Sequence, residues 1–359
     1  MATLSTPAGE TTDPLVYAAG PRDAADVSPV GIRIVALGGG TGLPVVLRGL
    51  KGALFGAGEA SADACGGNVL TAIVTAADDG GSSGRLRDAY RLVPPGDIRN
   101  CLLALSEGDA TLSAIFDFRF AGDAERGIGG HSLGNLILAA LSHLERDFLL
   151  GVERATRMLS ARGRVLPATL DDVRLVAEFT DESRVEGESR IAAAGRIIRR
   201  VALHPADARA VPEARRAIAA ADLVVLGPGS LYTSVIPVLL VPELAAAVAA
   251  TPARVLLVAN LMSEPGETDG YDAADLVRAI TRHAPGVAID DVLLNTAPLP
   301  ETWCSDPAAR PIRSDPDALR GLGCRPVERD LLGTDPLIRH DATKLARAIV
   351  ELALEGASR

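Results

Sequence analysis

Residues 32–37 read IRIVAL, and the glycine-rich stretch Gly38-Gly39-Gly40-Thr41-Gly42 follows at once. The apolar run is short and rich in β-branched side chains, which suits a strand buried on both faces of a parallel sheet. The next stretch, LPVVLRGLKGAL, has helical apolar spacing, and Pro44 falls in the first turn, where proline is tolerated. A strand that runs through glycines straight into a helix opens an α/β unit, and few architectures begin that way.

The same rhythm recurs along the chain. LTAIVT (70–75), DLVVLGPGS (222–230), VLLVANL (255–261) and DVLLNT (291–296) read as further strands. Helical patterns occupy 132–142, 149–159, 241–250, 273–282 and a closing stretch at 342–354. Residues 53–68 form an insertion of small residues. Between 160 and 205 the pieces VLPAT, VRLVAEF, RVEGESRI and GRIIRRVAL are short and strand-like, a β-rich insertion or an edge extension of the sheet. The expected architecture is a single Rossmann-like α/β domain over 31–359, with a mainly parallel sheet and helices on both faces. Residues 1–30 are rich in Pro, Thr, Gly and acids, as in a disordered tail, and lack the basic-then-apolar order of a signal peptide.

Composition excludes several classes of function. A net charge of −10 disfavours nucleic acid as a partner, because phosphate neutralisation needs a basic surface. No charge-free apolar run reaches about 18 residues, so no membrane insertion is expected. Cys65, Cys101, Cys304 and Cys324 form no CxxC and no zinc spacing, which reads as a reduced thiol set and a cytoplasmic protein. A homo-oligomer is compatible with this composition.

Ligands of open α/β sheets bind beyond the carboxyl ends of the strands. Four unusual segments start at such ends: 38–42, 78–87, 227–234 and 260–271. The first is a poor dinucleotide fingerprint, since Leu43 stands where a third glycine belongs, and no Gly-Lys-Ser/Thr follows to make a P-loop. Gly39, Gly40, Thr41 and Gly42 instead offer backbone N–H groups to an anion at a helix start, or make only a tight turn. Gly227, Gly229, Ser230, Thr233 and Ser234 form a second such loop, with helix capping by Ser230 as the plainer reading. Two anion loops suit a diphosphate.

Asp78 and Asp79 follow the second strand in TAADDGGSSGRLRDAY. They are candidates to accept ribose hydroxyls, to hold Mg²⁺, or to form a solvated turn. No cofactor is required by these motifs, and Mg²⁺ is the candidate ion. Ser82, Ser83 and Arg85 are placed to face a phosphate. PPGDIRN adds Asp97 and Arg99 on a rigid turn. Asp78, Asp79 and Asp97 are the catalytic candidates, should there be turnover. His131, in GGHSLGN, is more simply structural.

Together GGGTGL, TAADDGGSSGRLR, PPGDIRNCLLALS, HSLGNLILAAL, GPGSLYTSVIPVLLV and NLMSEPGETDGY resemble, in this order, the gluconeogenesis factor (YvcK-like) family. That family is related to 2-phospho-L-lactate transferase, a Mg²⁺-dependent enzyme with a nucleoside-diphosphate-linked donor. The likeness runs from about Ile32 to Ala297. It implies a binder of UDP sugars such as UDP-N-acetylglucosamine or UDP-glucose, serving cell shape and peptidoglycan synthesis on gluconeogenic carbon sources, without settled catalysis. It implies a diphosphate on 38–42 and 227–234, and an acceptor-binding acid nearest to Asp97. Asn135, Tyr232, Asn260, Glu267 and Thr268 join the implied ligand set, with Tyr271 as the stacking residue. The family's basic residue after Pro300 is matched here by Arg310, in altered spacing. The alternative implied by the relative is a phospho-group transferase.

Overall fold

The computed structural model describes residues 31–56, 67–123, 127–300, 308–334 and 337–357. The tail expected over 1–30, most of the insertion at 53–68, Cys65 and Cys304 lie outside them. Seven strands form the main sheet: β1 (Arg33–Gly38), β2 (Val69–Val74), β3 (Arg164–Pro167), β7 (Leu223–Leu226), β8 (Arg254–Val258), β9 (Asp291–Asn295) and β10 (Arg325–Arg329). Their order is β10-β9-β8-β7-β1-β2-β3, and every pairing is parallel. The fold is therefore Rossmann-like α/β, as the alternating strands and helices required.

Strand β1 explains the two-faced burial. Ile34 and Ala36 belong to one core, with Leu43, Val46, Leu47 and Leu50 of α1 (Gly42–Phe55). Val35 and Leu37 face the other core, with Leu231, Tyr232, Val235 and Ile236 beyond β7. Alternate side chains of one strand thus point to opposite helical layers, which an all-apolar strand allows.

The chain leaves β1 toward β2 and β3, then returns to the other side of β1 at β7. The connections after β1 and β7 consequently leave on opposite faces. This is the topological switch point, where an open parallel sheet splits and leaves a crevice.

The stretch expected as a β-rich insertion divides in two. VLPAT supplies β3, which extends the main sheet beside β2. The strands β4 (Arg174–Phe179), β5 (Arg184–Glu186) and β6 (Ile198–His204) form a separate antiparallel sheet, ordered β5-β4-β6. Its Leu175, Ala177, Phe179, Val201 and Leu203 share a core with the main sheet. Among the described residues no single helix is long and apolar enough to cross a membrane. The bent apolar pair Leu231–Leu239 and Pro242–Ala250 includes a first member that is buried throughout.

Candidate functional site

All four glycine- and acid-rich segments lie at the carboxyl edge of the sheet, and two of them touch at the switch point. A side chain on Gly42 would place its Cβ 2.3 Å from the Pro228 carbonyl oxygen and 2.9 Å from Gly229 Cα. Asn260, beyond β8, clamps the same loop. Its side-chain oxygen accepts from Gly229 N at 3.1 Å, and its amide nitrogen donates to Gly229 O at 3.0 Å. Between these segments a cavity of about 410 Å³ opens, with Thr41, Gly42, Gly229, Ser230 and Asn260 along one side. No side chain caps the start of α1. Its first N–H groups are left for an acceptor from outside, at the positive end of the helix dipole.

The expectation that both glycine loops present all their donors to a ligand needs correction. Gly40 N donates to Asp97 Oδ2 at 2.8 Å, so the first loop already holds one of the protein's own carboxylates. Gly40 has φ +60°, a left-handed conformation that glycine adopts without strain. A Cβ on Gly39 would fall 2.6 Å from the same Asp97 oxygen. At the second loop Glu267 accepts from Tyr232 N at 3.1 Å and from the Thr233 hydroxyl at 2.9 Å. That carboxylate satisfies the start of a π-helical turn, Leu231–Val235. The donors left facing the cavity are those around Thr41 and Gly42, since the Ser230 hydroxyl is taken by Glu264.

The acidic segment also differs from its expected role. GSSGRLRDAY is not an open loop but a helix, α2 (Gly81–Tyr90). Ser82 and Ser83 are buried, at 3% and 4% exposure, and turn away from the cavity. Ser82 Oγ lies 2.9 Å from His131 Nδ1 and accepts from Asn135 Nδ2 at 3.1 Å. Ser83 Oγ accepts from Gly96 N at 3.1 Å, which ties α2 to the start of α3 (Gly96–Leu105). Arg85 donates to the Gly129 carbonyl at 2.7 Å. His131, Ser82 and Asn135 thus form one structural network, consistent with the simpler reading of the histidine.

The acids themselves gather. Asp78 is raised above the ordinary carboxylate range, first by burial, and Asp97 is pushed up to about 7 by burial and then by the charge of Asp78. Glu188 joins them from the short helix Glu188–Ala193 and is pushed up to about 8 by burial and then by Asp78. Sequence reading did not single out Glu188, because nothing local in RVEGESRI places it beside Asp78 and Asp97. Asp79 instead holds that helix: its Oδ1 accepts from Ser189 N at 2.9 Å and from Ser189 Oγ at 2.6 Å. Arg99 is 6% exposed, donates to Asn100 Oδ1 at 2.6 Å, and has its basicity lowered by burial.

Tyr232, Thr268 and Tyr271 support the wall rather than line it. Tyr232 is fully buried, and its hydroxyl lies 2.7 Å from that of Tyr271, with ring centroids 6.4 Å apart. Thr268 Oγ1 accepts from Glu264 N at 2.8 Å. The Tyr271→Phe protein is expected to lose about 1 kcal/mol of stability by urea titration, because the buried Tyr232 hydroxyl loses its partner. Unchanged stability would mean that this hydroxyl pair contributes nothing.

Of the far wall, Glu264 belongs to the segment 260–271 singled out in the sequence, whereas Leu337, Arg339 and His340 were not legible there. Glu264, Leu337, Arg339 and His340 complete the cavity. Burial and the neighbouring Glu267 raise Glu264 to about 7. Arg310, the expected basic residue, sits at the rim beside Ala309, which lines the cavity; its backbone pairs with Ser263, at 2.6 Å and 2.9 Å.

Comparison with known proteins bears on this site. The family profile described as "2-phospho-L-lactate transferase CofD" matches residues 34–332. A protein of Halalkalibacterium halodurans named "Gluconeogenesis factor" is 43% identical over 322 residues, 89% of this chain and 95% of that one. A Bacillus subtilis protein of the same name is also 43% identical, over 90% of this chain and 98% of its own. A crystal structure of a Bacillus halodurans protein superposes with a TM-score of 0.81 at 42% identity, covering 89% of this chain and 99% of that one.

Proposed function

Because this chain belongs to the CofD family and stands among its gluconeogenesis factors, we propose that it is a cytoplasmic binding protein for UDP sugars. Its role would be to couple their level to cell shape and wall synthesis during growth on gluconeogenic carbon. The observation that carries this reading is the cavity at the switch point. It joins the uncapped start of α1 to the Gly229–Ser230 loop and runs on past Asn260. A diphosphate fits the first part, where helix N–H groups and the Thr41 hydroxyl converge. A nucleoside fits the longer wall beyond it.

The gathered acids favour a second reading, a Mg²⁺-assisted phospho-group transferase. Among the described residues no three His, Cys, Asp or Glu side chains form a ready-made metal cage. Asp78 and Asp97 nonetheless suit Mg²⁺, which is commonly held by one or two carboxylates together with phosphate and water. Bound there, the ion would neutralise negative charge on a diphosphate. Asp97 would keep its hold on Gly40 N and so fix the loop against the phosphates.

Calorimetry with UDP-N-acetylglucosamine, UDP-glucose and GDP, each with and without Mg²⁺, separates the two. Binding of the UDP sugars, with ligand recovered intact, is expected. Preference for GDP, tightened by Mg²⁺ and followed by nucleotide release, would replace the first reading with the second. Failure of every ligand to bind would remove both.

A further inference from the structure

The wall formed by Glu264 and His340 carries two buried polar atoms without a partner. His340 Nε2 and Glu264 Oε2 are both shielded from solvent and make no hydrogen bond, and both residues line the 410 Å³ cavity. Unpaired buried acceptors are costly, and native proteins keep them where a ligand or water completes the bond.

The rest of each side chain is already committed. A ring N–H of His340 donates to the Ala259 carbonyl at the end of β8. Since Nε2 has no partner, that donor is Nδ1, and Nε2 is left as a lone-pair acceptor. Burial holds the ring neutral, with its pKa lowered to about 4. The backbone around it is pinned as well. His340 bridges Leu332, Gly333 N donates to Arg339 O at 2.9 Å, and Asp341 N donates to Leu331 O at 2.8 Å. Glu264 bonds to Ser230, which leaves its second oxygen.

We propose that His340 Nε2 and Glu264 Oε2 form a paired acceptor that reads two hydrogen-bond donors on the nucleoside half of the ligand. This inference rests on the nucleotide-sugar reading above. The donors available on such a ligand are a ring N–H of the base and the hydroxyls of the ribose. A site built to accept from a donor discriminates strongly against analogues lacking it, because the buried acceptor is then left unpaired. His340 and Glu264 are accordingly specificity-determining residues, with no part in the phosphate contacts.

The test is calorimetry at pH 8 with UDP, 2′-deoxy-UDP and N3-methyl-UDP on the wild-type, His340→Phe, His340→Gln and Glu264→Gln proteins. His340→Phe is expected to weaken UDP at least tenfold, and His340→Gln, which keeps an acceptor, to recover part of that loss. One analogue should bind the wild type at least tenfold more weakly than UDP, yet bind His340→Phe as UDP does. That analogue identifies the donor as ribose or base. Should His340→Phe fail to fold, His340→Gln against the same ligands carries the comparison. Equal UDP affinity in wild type and His340 variants overturns this inference alone, as does a wild type indifferent to both analogues. A wild type that binds no UDP overturns the nucleotide reading and this inference with it.

Discussion

Gly42→Ala is expected to lose about 2–3 kcal/mol of stability, the cost of forcing a methyl into a filled site, and to bind UDP sugars at least tenfold more weakly. Gly42 opens α1, so its backbone is helical and alanine suits its conformation. The obstacle is the neighbour: the new Cβ would meet the Pro228 carbonyl at 2.3 Å and Gly229 Cα at 2.9 Å. Those are backbone atoms of the opposite loop, and Asn260 holds that loop by two hydrogen bonds. Relief requires the loops to part at the switch point, which misplaces the donors on both sides of the cavity. Gly52→Ala on the same helix is the control. Apart from its chain neighbours and the helix's own backbone, no atom lies within 4 Å of its Cβ position. There the gain in helix propensity acts alone and should add up to about 1 kcal/mol. Urea titrations of the two variants give opposite signs on this account. Wild-type stability and affinity in Gly42→Ala would mean that the loops are not in close contact.

The contrast also shows what was readable from residues alone. The strands β1, β2, β7, β8 and β9 and the sheet edge that carries the site followed from apolar runs broken by glycines, because burial on two faces leaves a long local signature, whereas β10 and α2, which carry no such run, and α3 were not read. The pairing of the loops after β1 and β7 followed from the rule that ligands gather beyond strand ends. What each polar group does was not readable. Ser82 and Ser83 look like phosphate ligands in a glycine-rich string. They are consumed by His131, Asn135 and the Gly96 amide, some 13 to 53 positions away. Asp97 and Glu267 occupy amides that a local reading assigns to a ligand, and they arrive there from other elements. His340, 69 positions past Tyr271, where the last segment of the family resemblance ends, has no motif around it. Hydrogen-bond partners chosen by tertiary proximity leave no periodicity to find.

Asp97 is where that limit has the largest consequence, and the Asp97→Asn protein should be more stable than wild type at pH 8 by about 2 kcal/mol. The carboxyl has an ordinary value of 3.8 and is pushed up to about 7 by burial and by Asp78. Below pH 3.8 it is neutral in both folded and unfolded chains, and no charge is trapped. Between pH 3.8 and 7 the unfolded chain releases this proton while the folded protein keeps it, so stability is lost across this window, and above 7 the full penalty of the buried charge stands. The whole shift corresponds to about 4 kcal/mol at 1.36 kcal/mol per pH unit. Roughly half is assigned to Asp97 here, because Asp78 shares the repulsion. Asparagine removes the charge and keeps an oxygen to accept from Gly40 N, so the glycine loop stays in place. Urea titration at pH 4 should show no difference between the two proteins, and at pH 8 a clear gain for the variant. A destabilised variant at pH 8 would show that the ionised carboxylate makes favourable contacts that outweigh its burial. The gain, if accompanied by loss of a Mg²⁺-dependent increment in nucleotide affinity, places the cost of this carboxylate where strain of this kind is kept: at a site that needs a negative charge only when a cation and ligand arrive.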